Sequence, residues 1–141
     1  MSDEQPKAGV VGVGSMGQHH ARVYNELPSV ELAGVADADE DRAADVAAKY
    51  GTDVASQTTL LDRCDLVSVA VPTRYHYGVA TEAIDRGVNV LVEKPFVSDL
   101  ARGRELTQMA RDQGVALQVG HVERFNPAVR ALADIVPDLD V

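Results

Sequence analysis

Cysteine is almost missing from this sequence: Cys64 is the only one in 141 residues. A single thiol closes no intramolecular disulfide and builds no cysteine metal cage, which excludes a disulfide-stapled secreted scaffold. Long apolar runs are missing as well. Nothing approaches the ~20 consecutive residues that span a bilayer, so neither a transmembrane helix nor a membrane partner is expected. Residues 1–7 (MSDEQPK) are polar and acidic, without the apolar stretch of a secretory leader. The expected compartment is the cytoplasm.

Positive charge is the other shortage. Thirteen Lys and Arg face 22 Asp and Glu, a formal net charge of -9. Such a field repels a phosphate backbone and excludes nucleic acid as a partner. A phosphate-bearing small ligand must then be held by local backbone amides. Lysine is scarcest: Lys7, Lys49 and Lys94 stand against ten arginines and 14 aspartates. An acidic, lysine-poor surface suits a halophile, where concentrated salt screens self-repulsion. A GC-rich genome favouring Arg and Ala gives the same bias, so both readings stay open. What remains is ordinary: 45% hydrophobic and 25% charged residues at the size of one domain. Collagen and a disordered tail are excluded.

Apolar runs alternate with amphipathic stretches, and Gly, Pro, Asp or Ser marks each change. Strands are expected over residues 7–13, 30–36, 66–71, 89–93 and 115–119, with a brief one at 53–55. Helices are expected over 15–27, 39–50, 59–63, 75–86, 98–113 and 126–135, Ser98 capping the fifth. Gly51, Gly87 and Gly114 are their stops. This alternation predicts crossover units and hence an α/β fold, a single doubly wound parallel sheet of the Rossmann type. Residues 138–141 begin what reads as another strand, so the chain is expected to be cut from a longer one.

Gly12-Val13-Gly14-Ser15-Met16-Gly17 fits G-x-G-x-x-G, and its place between a strand and a helix gives the pattern meaning. The first glycine permits the tight turn, the second lets backbone approach a pyrophosphate, and the third lets helix and strand pack closely. The helix N-terminus offers unpaired amides to phosphate. Asp37 lies 20 residues after Gly17, where a carboxylate accepts both adenosine ribose hydroxyls and repels a 2′-phosphate. NAD is favoured over NADP. A plain helix cap is the competing reading of Asp37, and a methyltransferase or a structural turn that of the glycines.

Three more groups fall at the carboxyl ends of expected strands, where open α/β sheets bind ligands. Val71-Pro72-Thr73 ends one strand, with the Thr73 hydroxyl a candidate cofactor contact, and His76 follows in the next helix. An ordinary turn and a capping histidine are the alternatives. Glu93-Lys94-Pro95 ends another strand, and a lysine buried there needs a carboxylate or a ligand. Beside a nicotinamide, Lys94 could hold the hydroxyl being oxidised; a surface Glu–Lys pair is the bland alternative. His121, Glu123 and Arg124 follow the last strand at the same edge. His19, His20, His76 and His121 lack metal-ligand spacing, so no metal is expected.

Together these segments resemble the N-terminal half of the glucose–fructose oxidoreductase/inositol dehydrogenase (Gfo/Idh/MocA) family. The resemblance runs from Ala8 to about Val129 and rests on GVGSMGQHHARVY with Asp37 downstream, VAVPTRYHYGVATEAIDRGVNVLVEKP and GHVERFNPAV. GHVERFNP is similar to members that oxidise nucleotide-linked amino sugars. The resemblance implies that Gly12, Val13, Gly14, Ser15, Met16 and Gly17 hold the pyrophosphate and Asp37 the ribose. It implies that Val71, Pro72, Thr73 and His76 border the cofactor and that Glu93 and Lys94 lie near the nicotinamide ribose. It implies too that Lys94 is catalytic and touches substrate, its peptide to Pro95 often cis. His121 and Arg124 are further cofactor candidates by their place at the same edge. Arg124, Asn126 and Pro127 match the segment leading onward. Residues 1–125 would be the NAD(P)-binding domain and 126–141 the start of the connection to a C-terminal α/β domain. That second domain, which supplies the acid–base pair and most of the substrate pocket, is absent from the sequence.

The leading expectation is therefore the nucleotide-binding domain of an NAD-dependent oxidoreductase acting on a sugar or nucleotide sugar, weakly active or inactive alone. The alternative is a non-enzymatic stand-alone NAD-binding or partner module. A homo-oligomer is compatible with either.

Overall fold

The computed structural model describes residues 4–135. Five short strands carry the apolar runs: β1 (Lys7–Val11), β2 (Glu31–Ala36), β3 (Leu66–Val69), β4 (Asn89–Val92) and β5 (Leu117–Val119). All pair in parallel, in the order β2-β1-β3-β4-β5. Six helices lie between and after them: α1 (Ser15–Glu26), α2 (Glu40–Tyr50), α3 (Gln57–Arg63), α4 (His76–Asp85), α5 (Leu100–Gln113) and α6 (Pro127–Ile135). Short 3-10 turns occupy Thr73–Tyr75 and Val122–Phe125.

Side-chain alternation along the strands explains the two helical layers. Ala8 and Val10 of β1 and Val35 of β2 face α1 and α2, meeting Ala21, Tyr24, Ala43, Val46 and Ala47. On the opposite face Val67, Val69, Val90 and Val92 meet Leu60, Leu61, Val79, Ala83, Ile84 and Leu106 of α3, α4 and α5. Gly9 allows α3 to come this close: a Cβ there would lie 2.7 Å from Cys64 Sγ. Burial, and secondly the neighbouring Asp65, pushes the Cys64 thiol up to about 11. A thiol in that state is inert near neutrality.

Several boundaries depart from expectation. The stretch 53–55 is no strand of its own; Val54 makes one parallel bridge to Val35, because Ser56 already caps α3 through the Thr59 amide. The cap of α5 is Asp99, whose carboxylate accepts from the Ala101 amide at 2.8 Å, rather than Ser98. Phe96 and Val97 lie over Gly103, which fixes the chain entry one residue later than the sequence suggests. Residues 138–141, read as a further strand, lie outside the described residues.

The order of strands decides where a site can form. From β1 the chain moves to β2 on one side, then crosses back so that β3 lies on the other. The connections leaving the paired carboxyl ends of β1 and β3 therefore run to opposite sides, leaving a crevice at the switch point.

Candidate functional site

The connection from β1 to α1 forms the floor of that crevice. Gly12 takes φ +88° and donates its N–H to the Ala36 carbonyl at 2.8 Å. A Cβ at Gly12 would lie 2.7 Å from the Ala70 and Val71 backbone, and one at Gly17 would lie 1.7 Å from the Gly12 carbonyl oxygen. Both glycines are thus required by packing. Gly14 differs: a Cβ there would meet nothing within 4 Å. The first turn of α1 has no side-chain cap and no acidic residue. Its leading amides, beside exposed Ser15 and Met16, are left for a ligand, and the open space over Gly14 admits an anion. The fit to a pyrophosphate is good.

Val13 is fully buried, and its N–H donates to Asp37 Oδ2 at 2.8 Å. The Asp39 amide and the Arg42 guanidinium donate to Oδ1 at 2.8 and 3.2 Å. Burial alone would raise the Asp37 pKa, but the Asp39 and Val13 amides and Arg42 outweigh it and hold the carboxyl below its ordinary range. Asp37 is more than a helix cap: it braces the glycine turn and borders an open cleft of about 790 Å³ with Val71, Arg74 and Tyr75. Asp39, not Asp37, caps α2.

Beyond Val69, Val71 borders the same cleft, and Pro72 and Thr73 form the turn that follows. His76 does not line that cleft. Only 1% exposed, it faces the Val71 carbonyl with Nε2 at 2.8 Å and the Phe96 carbonyl with Nδ1 at 3.0 Å. The ring lies between the turn after β3 and the turn after β4, so a part for His76 beside a cofactor remains a proposal.

At the end of β4 the burial of the pair is the reverse of that expected. Glu93 is 6% exposed, whereas Lys94 is exposed and has no ion-pair partner among the described residues. The cost of burial therefore falls on the carboxylate, and it is met by His20 Nε2 at 2.7 Å and the Lys94 amide at 3.2 Å. The Lys94–Pro95 peptide is cis. Glu93, Met16 and His121 border a second cleft of about 340 Å³, which shares no lining residue with Asp37's. Arg124 is exposed on the 3-10 turn and borders neither cleft.

This turn, carboxylate and sheet edge belong to a known family. Residues 7–121 match the model described as an oxidoreductase family with an NAD-binding Rossmann fold. The chain is a member of the Gfo/Idh/MocA oxidoreductase family.

Among relatives in this family, UDP-N-acetylglucosamine 3-dehydrogenase from Acidithiobacillus ferrooxidans is 39% identical over 127 residues, 89% of this chain and 40% of the relative. Its solved structure superposes with a TM-score of 0.88, covering 94% of this chain and 43% of that one. The NAD complex of GenD2 from gentamicin A biosynthesis superposes at 0.91 with 35% identity, covering 96% and 40%. The NAD-dependent scyllo-inositol 2-dehydrogenase of Bacillus subtilis is 30% identical, over 89% of this chain and 38% of the relative. The chain therefore spans about 40% of the length of these relatives.

Three side chains of this Gfo/Idh/MocA domain were not singled out by sequence reasoning. His20 joins Glu93, Ser68 and Tyr24 in one chain of hydrogen bonds. Ser68 carried a signal, being the one polar residue inside the apolar run Leu66–Val69. Arg42 carried none, because nothing local shows that its guanidinium reaches back to Asp37.

Proposed function

We propose that this chain is the cofactor half of an NAD-dependent dehydrogenase that oxidises a hydroxyl of a sugar or nucleotide sugar. The observation that carries the reading is one sheet edge shared by the open Gly14 turn, Asp37 at the end of β2 and Glu93-Lys94 at the end of β4. The first amides of α1 hold the pyrophosphate. A carboxylate has about four lone-pair directions, and three donors already sit on Asp37. It therefore takes one ribose hydroxyl, fewer than the two expected from its position alone. The Arg42 guanidinium pairs with Asp37 Oδ1 at 3.2 Å, so selectivity against a 2′-phosphate rests on that pair staying closed.

When bound, the nicotinamide supplies the hydride acceptor. Lys94, exposed and without an ion-pair partner among the described residues, holds the substrate oxygen where negative charge develops. The proton acceptor is assigned to sequence beyond the 40% that the relatives share with this chain. Residues 1–125 are read as the NAD-binding unit and 126–141 as leading to that second part. The names of the relatives, a UDP-sugar dehydrogenase and inositol dehydrogenases, support the substrate class. The setting proposed is the cytoplasm of a halophile; no helix among the described residues is long and apolar enough to cross a membrane.

Calorimetric titration of the 141-residue chain tests the reading. Saturable NAD binding is expected, with NADP at least about tenfold weaker, the equivalent of ~1.4 kcal/mol. In Asp37→Ala the preference should narrow, because Arg42 is released. No NAD binding at any salt concentration would overturn the proposal.

A further inference from the structure

The buried polar groups between α1 and the sheet form a continuous series. Tyr24 Oη lies 2.6 Å from Ser68 Oγ, Ser68 Oγ lies 2.8 Å from His20 Nδ1, and His20 Nε2 lies 2.7 Å from Glu93 Oε1. Glu93 Oε2 accepts from the Lys94 amide, and Gly120 leaves the room that the carboxylate occupies: a Cβ there would be 3.0 Å from Oε1. Ser68, Tyr24 and Glu93 are all buried.

Counting protons selects one wiring. With the imidazole proton on Nε2, Tyr24 donates to Ser68, Ser68 to Nδ1, and Nε2–H to the carboxylate, so every group is satisfied. With a single proton on Nδ1 instead, the bare Nε2 lone pair would face a carboxylate at 2.7 Å. With both nitrogens protonated, Ser68 accepts from Nδ1–H, and the hydroxyl proton of either Ser68 or Tyr24 is left without an acceptor among the described residues. An unmet buried hydroxyl is costly, so the series runs one way, from Tyr24 to Glu93.

We propose that His20 is a positioning residue for the nicotinamide end of the site. It fixes the Glu93 carboxylate, and through the Lys94 amide it sets where Lys94 leaves the sheet. His20 lies three residues after Gly17 on α1, the helix that opens on the glycine turn. The pyrophosphate turn and the Glu93-Lys94-Pro95 turn are thereby registered against each other by one imidazole spanning 73 residues of sequence. This inference rests on the NAD reading for its effect on binding, and on the hydrogen bonds alone for its wiring.

The test uses two readouts on the 141-residue chain. The first is the nitrogen-15 spectrum of histidine-labelled protein. A His20 signal of the Nε2–H tautomer is expected, shifting toward a mixture in Ser68→Ala as Nδ1 loses its donor. An Nδ1–H tautomer, or a spectrum indifferent to Ser68→Ala and Glu93→Gln, overturns the wiring. The second compares NAD with ADP-ribose, which lacks the nicotinamide. His20→Ala should weaken NAD about tenfold, the effect of one lost hydrogen bond to a charged group, and leave ADP-ribose unchanged. His20→Gln, which keeps a donor toward Glu93, should recover part of the loss. Equal weakening of both ligands would mean general damage and overturns the positioning role. A wild-type chain that binds neither ligand overturns the NAD reading and the positioning role built on it, while the histidine spectrum still decides the wiring.

Discussion

Gly14 and Gly17 are both glycines of one turn, yet the space around them differs completely. A methyl at Gly17 would sit 1.7 Å from the Gly12 oxygen, whereas one at Gly14 would meet nothing within 4 Å. Gly14 also has an ordinary φ of -69°. Gly17→Ala should therefore cost ~3 kcal/mol or more in urea unfolding, as overpacking against rigid backbone does. Gly14→Ala should unfold like the wild type but bind NAD at least about tenfold more weakly, because the methyl takes the space left for phosphate. Equal stability of the two variants would contradict this account. Asp37 makes a second case at this scale. Its pKa is depressed in the fold, so the stability it adds is complete above the unfolded value of about 4. That contribution is lost as pH falls through the lower folded value. Asp37→Asn should thus be less stable than wild type at pH 7, and the gap should close as pH falls below ~4. A gap constant down to pH 2 would assign the loss to packing instead. The tight glycine turn and the place of Asp37 at the end of β2 were legible because both follow from chain-local spacing. The contacts of His20 and His76 were not, since Ser68 and Glu93 for the one and the Phe96 carbonyl for the other are brought from distant parts of the chain by the fold.

Elements were legible where composition and a stop coincide. The helix α2 begins at Asp39, which accepts from the Arg42 amide, and ends at left-handed Gly51. Strands proved shorter than their apolar runs: Gly12, with φ +88°, ends β1 although Val13 beyond it is fully buried. Apolar character reports burial, and a buried loop residue is as apolar as a strand residue. The start of α5 shows the limit from the other side. Ser98 and Asp99 are equally good caps by type, and the choice is made by Phe96 and Val97 lying against Gly103. Asp99→Ala should cost about 1 kcal/mol in thermal or urea unfolding, while Ser98→Ala should stay within about 0.5 kcal/mol. The reverse order would return the cap to Ser98.

The whole molecule carries a net charge of -9 on 141 residues. Acids crowd even one helix start, with Asp39, Glu40 and Asp41 in sequence. Pairing offsets little of this, because the pairs of Arg22 with Glu26, Arg42 with Asp39 and Arg63 with Asp53 are exposed on both sides and worth little each. Repulsion is therefore a property of the assembled surface, and salt is the variable that reports it. The screening length falls from about 10 Å at 0.1 M to about 3 Å at 1 M. The Tm should rise by several degrees between 0.1 and 2 M KCl, with most of the gain coming by 1 M as screening saturates. Salt also strengthens apolar contact, and Phe125, Val122, Met16 and Val23 are exposed near one another around the second cleft. The two effects separate by dilution: relief of repulsion within one molecule leaves Tm independent of protein concentration, whereas self-association raises Tm with concentration. A concentration-independent rise supports the halophile reading of the acidic surface. A Tm flat in KCl at every protein concentration would leave the arginine-rich, lysine-poor composition to genome bias.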